Sequence, residues 1–117
     1  MIDSAQAGMA ERLHIAEREW HIVAEILARQ LTGRTVWAFG SRASGRGLKK
    51  FSDLDLAVEG RLTAAERSAV SEAFDESLVR FKVDIVEMDL IDTEFRERIK
   101  KDFVAVQSDV YANVKES

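Results

Sequence analysis

The sequence predicts a small α/β (α+β) domain in which a sheet of short strands is flanked by helices. Two observations predict it. Segments with apolar residues three and four apart interleave with β-branched or strictly alternating segments, and a glycine or a helix-capping residue stands at most of the joints. At 117 residues the chain fits one domain, 1–117, with one modest core.

From Met9 to Leu31, Leu13, Ala16, Trp20, Val23, Ala24 and Leu27 lay a single stripe along a core-facing helix that Gly33 stops. Thr35 to Phe39 is β-branched and aromatic enough for a strand, with Trp37 and Phe39 on one face and in the core. That strand runs into Gly40-Ser41, and Ser41 to Ser52 reads as a loop with a helical turn at its start. Asp53 to Val58 alternates, with Leu54, Leu56 and Val58 on one face and Asp53, Asp55 and Ala57 on the other. Thr63 and Glu66 form a capping-box pattern that opens a helix reaching Val79, with Val70, Ala73, Phe74, Ser77 and Leu78 as its stripe. Phe81 to Val86 alternates again, placing Asp84 with Lys82 on the polar face. Asp92 caps a last helix over Thr93–Lys101, Phe103 to Val106 makes an edge strand, and the tail from Ser108 is loose.

Composition excludes several classes. There is no cysteine, hence no disulfide or thiolate metal site, and no run of 18 apolar residues, which together predict a cytoplasmic chain without a membrane span or signal peptide. A net charge of -4 argues against direct nucleic-acid binding. The stretch 42–50 nonetheless holds Arg42, Arg46, Lys49 and Lys50 and no acid, which suits a small anionic ligand.

The chemistry lies in a conjunction. A strand ending in Gly40-Ser41 offers a tight turn, N–H groups and a hydroxyl to a phosphate. Asp53 and Asp55 from one strand and Asp84 from another offer three carboxylates on polar faces, which meet if the strands pair. Magnesium takes such hard oxygens, and two ions together serve nucleotidyl transfer. Each piece alone has a plainer reading, as a turn, a solvated strand face or a surface ion pair; their order and strand context give the pattern its weight.

Gly40-Ser41-Arg42-Ala43, then Phe51-Ser52-Asp53-Leu54-Asp55-Leu56, then Val83-Asp84-Ile85-Val86 resemble the signature of the DNA polymerase β-like nucleotidyltransferase superfamily. Within it they most resemble the minimal nucleotidyltransferases of prokaryotic HEPN–MNT toxin–antitoxin pairs. The resemblance implies a mixed sheet, with Asp53, Asp55 and Asp84 as catalytic residues and ligands of two Mg2+ ions. It implies Gly40 and Ser41, and more weakly Arg42, as the residues that hold the ATP triphosphate. The implied act is transfer of AMP to a hydroxyl, a tyrosine of a partner HEPN-domain toxin, with hetero-oligomer formation and neutralisation as the result. An idle or nucleotide-sensing module of the same fold, regulating a partner by binding, is the alternative. Ser41 and Asp53 enclose eleven residues, one more than the family pattern, a cheap change in a loop.

Overall fold

Alternation and helical spacing take shape in the computed structural model, which describes residues 8–108. Helices α1 (Met9–Leu13) and α2 (Glu17–Gln30) precede β1 (Val36–Phe39) and the single-turn α3 (Ser41–Ser44). Strand β2 (Leu54–Val58), helix α4 (Ala64–Asp75) and strand β3 (Val83–Glu87) follow. A 3-10 turn (Met88–Leu90), helix α5 (Thr93–Lys100) and strand β4 (Val104–Gln107) complete the fold. The sheet order is β3-β2-β1-β4; β2 and β3 run parallel, and β1 is antiparallel to both β2 and β4.

Each face of the sheet buries a different set of side chains. Leu54, Leu56 and Val58 join Leu13, Trp20, Val23, Leu27, Val70 and Phe74 in the main core beneath α1, α2 and α4. On the opposite face Phe39, Ala57 and Ile99 are buried, with Trp37, Val86, Phe95 and Phe103 packed around them. Trp37 stacks on Phe103 at 4.8 Å between ring centroids, and Phe39 meets Phe95 edge-on at 6.3 Å. Such ring pairs add roughly 0.5–1.5 kcal/mol each beyond their burial. The caps form as the sequence predicts: Thr63 and Glu66 bond reciprocally, and Asp92 accepts from the Phe95 N–H at 2.7 Å.

Three expectations are corrected. The helix expected over Met9–Leu31 is broken, because His14 adopts a left-handed conformation with φ of 58° and ends α1. The break is held from outside: an Arg42 guanidinium N–H donates to the His14 carbonyl, and His14 Nδ1 lies 3.0 Å from the Arg42 carbonyl oxygen. The α4 helix stops at Asp75 instead of Val79, as Ser77 turns its hydroxyl onto the Phe74 carbonyl at 2.8 Å. Leu78 therefore leaves the predicted stripe and is 74% exposed. Strand β3 begins two residues later than expected, at Val83. The tail expected to be loose lies, beyond Ser108, outside the described residues. No described helix is long and apolar enough to cross a membrane.

Candidate active site

The carboxylates are brought together by strand register. Burying Leu54 and Leu56 turns Asp55 to the other face of β2, and the parallel pairing sets Asp55 directly beside Asp84. Asp53 stands one residue ahead of β2, where the Leu54 N–H donates to the Lys82 carbonyl at 2.8 Å and fixes the entry of both strands. The crowding has an electrostatic signature. Burial first, and then the negative charges of Asp84 and Asp53, hold the Asp55 carboxyl above the usual carboxylate range. Lys82 Nζ approaches Asp84 Oδ1 at 3.5 Å from an exposed position.

β1 supplies the floor. Phe39 is the register partner of Asp55, and Gly40 follows with φ of 77° and ψ of -157°, a region open essentially to glycine alone. A Cβ at Gly40 would lie 2.5 Å from Asp55 Oδ2, so the carboxylate packs against bare backbone. Gly40 is also the N-cap of α3, whose first residue is Ser41. First-turn N–H groups lack a partner from a preceding turn, so Ser41 offers both a backbone donor and a hydroxyl next to the carboxylates.

The basic loop is engaged differently from the sequence expectation. Arg42 is only 4% exposed and turned inward: Nε donates to the Ser52 carbonyl at 2.9 Å, and the two terminal nitrogens donate to His14 and Lys50 carbonyls. Its guanidinium lies 4.8 Å from the Phe81 ring centroid, and burial lowers its pKa. Arg46 pairs with Asp102 at 3.0 Å, and Lys50 lies over the exposed Phe51 ring. Sequence reasoning did not find the buried Glu19, which accepts the Arg80 N–H at 2.9 Å, because its partner lies 61 residues away. A cleft of about 340 Å³ opens between α4 and β3, lined in part by Val70, Phe74, Phe81, Val83 and Asp84.

Among the described residues no three His, Asp or Glu side chains already close around an ion-sized point. The donor chemistry nevertheless fits magnesium: hard carboxylate oxygens on adjacent strands, mutually repelling, one of them with its pKa raised by burial and by the two neighbouring charges.

The nucleotidyltransferase domain family matches residues 21–106, a span that takes in Gly40, Ser41 and all three aspartates. A relative from Haemophilus influenzae, named a "probable protein adenylyltransferase MntA", is 42% identical over 98 residues, covering 82% of this chain and 85% of the relative. The crystal structure of a toxin–antitoxin with AMP-PNP superposes with a TM-score of 0.62 at 19% identity, covering 82% of each chain. A structure described as a minimal nucleotidyltransferase gives a TM-score of 0.59 at 25% identity, covering 78% of this chain and 96% of that one. Strand register, the glycine floor and these likenesses agree, and the chain belongs to the nucleotidyltransferase family.

Proposed function

We propose that this protein transfers AMP from ATP to a tyrosine hydroxyl of a HEPN-domain toxin, with two magnesium ions, and so acts as a cytoplasmic antitoxin. The observation that carries the reading is the pairing of Asp55 with Asp84 over the Gly40 backbone. The name of the 42% identical relative supports protein as the acceptor class, and the toxin–antitoxin structure holding AMP-PNP supports nucleotide and toxin together.

Asp53, Asp55 and Asp84 are the residues that would hold the two ions. Bound there, such ions would supply positive charge to the phosphates and Lewis acidity to the attacking oxygen. Gly40 and Ser41 bind the triphosphate through backbone N–H groups and the hydroxyl, at the turn against which the Asp55 carboxylate packs. Asp84, on the edge strand β3 beside Asp55, takes the hydroxyl proton. The acceptor oxygen bonds to the α-phosphorus as the bond to the β-phosphate oxygen breaks, and pyrophosphate leaves. We give the Arg42 side chain no triphosphate contact, because it is buried and three of its five N–H donors serve carbonyls. The bulk and negative charge added to the toxin disturb a site that must approach RNA phosphates.

The test is incubation with magnesium, labelled ATP and the product of the neighbouring gene. Label in the partner with matching pyrophosphate release, both lost in Asp55→Asn, supports the proposal. Transfer undiminished in Asp55→Asn would sink the assignment of the carboxylates, and complex formation without transfer would point to a binding module.

A further inference from the structure

The most deeply buried cation near the site takes no part in the chemistry just described. Arg42 follows Ser41, yet its guanidinium is buried against backbone from two separate segments, the α1–α2 elbow and the turn before Asp53. We infer that Arg42 is a positioning residue, whose guanidinium fixes the turn that delivers Asp53 and the segment that leads to Asp84. This inference rests on the nucleotidyltransferase reading of the same carboxylates.

The Ser52 carbonyl, bonded to Arg42 Nε at 2.9 Å, shares its rigid peptide plane with the Asp53 nitrogen. Holding that oxygen therefore orients the backbone from which Asp53 projects. The turn before it is closed on itself: the Ser52 N–H donates to the Lys49 carbonyl at 3.1 Å, and the Lys49 N–H donates to Ser52 Oγ at 2.8 Å. Arg42 also holds the Lys50 carbonyl inside that turn, at 3.3 Å. On its other side the guanidinium lies over the ring of Phe81, three residues before Asp84. The third anchor is the α1–α2 elbow, where Arg42 and His14 bond each other reciprocally. One planar, forked cation thus joins both approaches to the acidic cluster to the first helical layer. Lysine cannot copy this, since an ammonium is a compact point charge without the rigid fork.

Arg42→Lys keeps the charge and the aliphatic stem, and circular dichroism checks that the variant is folded. Three readouts need neither partner nor turnover. Amide exchange at residues 49–54 speeds up in the variant, while exchange in α4 stays at the wild-type rate. Mn2+ affinity, read by spin-resonance titration, falls by about tenfold, the lower end of what misplaced supporting bonds cost a metal site. ATP affinity in EDTA stays unchanged. In the transfer assay, turnover falls by up to about a hundredfold, the scale of ångström misplacement, with KM for ATP little altered.

Weakened ATP binding with unaltered exchange and Mn2+ affinity would make Arg42 a triphosphate ligand and overturn the inference. A variant identical to wild type in all readouts would overturn it too. If Arg42→Lys does not fold, Phe81→Leu removes the ring under the guanidinium and shifts exchange and Mn2+ affinity in the same direction; a folded Phe81→Leu with wild-type values refutes the inference. A wild-type chain that binds Mn2+ but transfers nothing fails the functional proposal alone, because exchange and metal affinity still decide the role of Arg42.

Discussion

Replacing Asp55 by asparagine is expected to do two opposite things, and the contrast tests the site more sharply than loss of activity does. Adjacent strands lie about 4.8 Å apart, so Asp55 and Asp84 in register are close like charges, with Asp53 as a second negative neighbour. A like charge directly opposite in a sheet costs roughly 0.2–1 kcal/mol, and removing the Asp55 charge relieves that pair and the repulsion from Asp53 just ahead of its own strand, about 1 kcal/mol in total. In a domain of this size that raises Tm by about 4 °C. The pH dependence follows from the raised carboxyl of Asp55. A native pKa above the unfolded one means that the native state holds the proton longer, so stability from this group falls as pH rises through that window. Above that window the penalty is complete, and Asp55→Asn in EDTA melts above wild type; toward the ordinary carboxylate range the advantage shrinks. Magnesium with a non-hydrolysable ATP analogue reverses the order, since ligand at a hundred times its Kd stabilises wild type by about 2.7 kcal/mol. The assay is a thermal melt of both proteins across pH, with and without ligand. A variant melting at or below wild type in EDTA at pH 7 would refute the reasoning, for the three charges would then not be crowded.

Gly40→Ala should lower stability by about 1–3 kcal/mol in a urea titration and abolish transfer, because the backbone there suits glycine and the new Cβ would displace the Asp55 carboxylate. Ser41→Ala should weaken ATP binding by roughly tenfold in calorimetry while leaving Tm near wild type, as expected for one hydrogen bond to a charged group; unchanged affinity removes Ser41 from the site. Glu66→Gln tests the frame. The Arg34 side chain first, and then the Thr63 N–H, hold the Glu66 carboxyl down at about 2. A depressed pKa stabilises above the ordinary carboxylate range and loses that contribution as pH falls toward the native value. The variant should be less stable by about 1 kcal/mol at pH 7, given solvent screening, and the gap should close by about pH 2.

Local patterns made most of this structure legible. Alternation in Leu54–Val58 and Val83–Val86 fixes which residues face the main core, and the polar positions left over are the aspartates. Caps at Thr63 and Asp92 were readable because their partners lie three residues away. What escaped depends on distant contacts. The left-handed turn at His14 is closed locally by the Ile15 N–H on the Ala10 carbonyl, and Arg42, 28 residues later, holds it from outside. For the same reason the sequence hides the partners of Arg42, a basic residue beside Gly40-Ser41: they are the carbonyls of His14, Lys50 and Ser52. Charge and motif position are visible in one dimension, whereas the direction of a long side chain is decided by what surrounds it.

The same register that builds the core also builds the acidic cluster, and neither can be altered alone. Trp37 and Phe39 of β1, Asp55 and Ala57 of β2, and Asp84 and Val86 of β3 occupy one face of the sheet. The half of that face holding Phe39, Ala57 and Val86 packs with Phe95 and Ile99 of α5, while the other half presents Asp55 and Asp84. Slipping β2 by one residue against its neighbours would send Leu54 and Leu56 to the acidic half and the aspartates into the core, so the cost of burying charge protects the site. Phe39, opposite Asp55 and nearly buried, adds a flank of low polarity beside the central carboxylate. Burial is the leading cause of the raised Asp55 carboxyl, ahead of both neighbouring charges. The raised Asp55 carboxyl therefore owes at least as much to the hydrophobic packing of β1 and β2 as to the number of carboxylates.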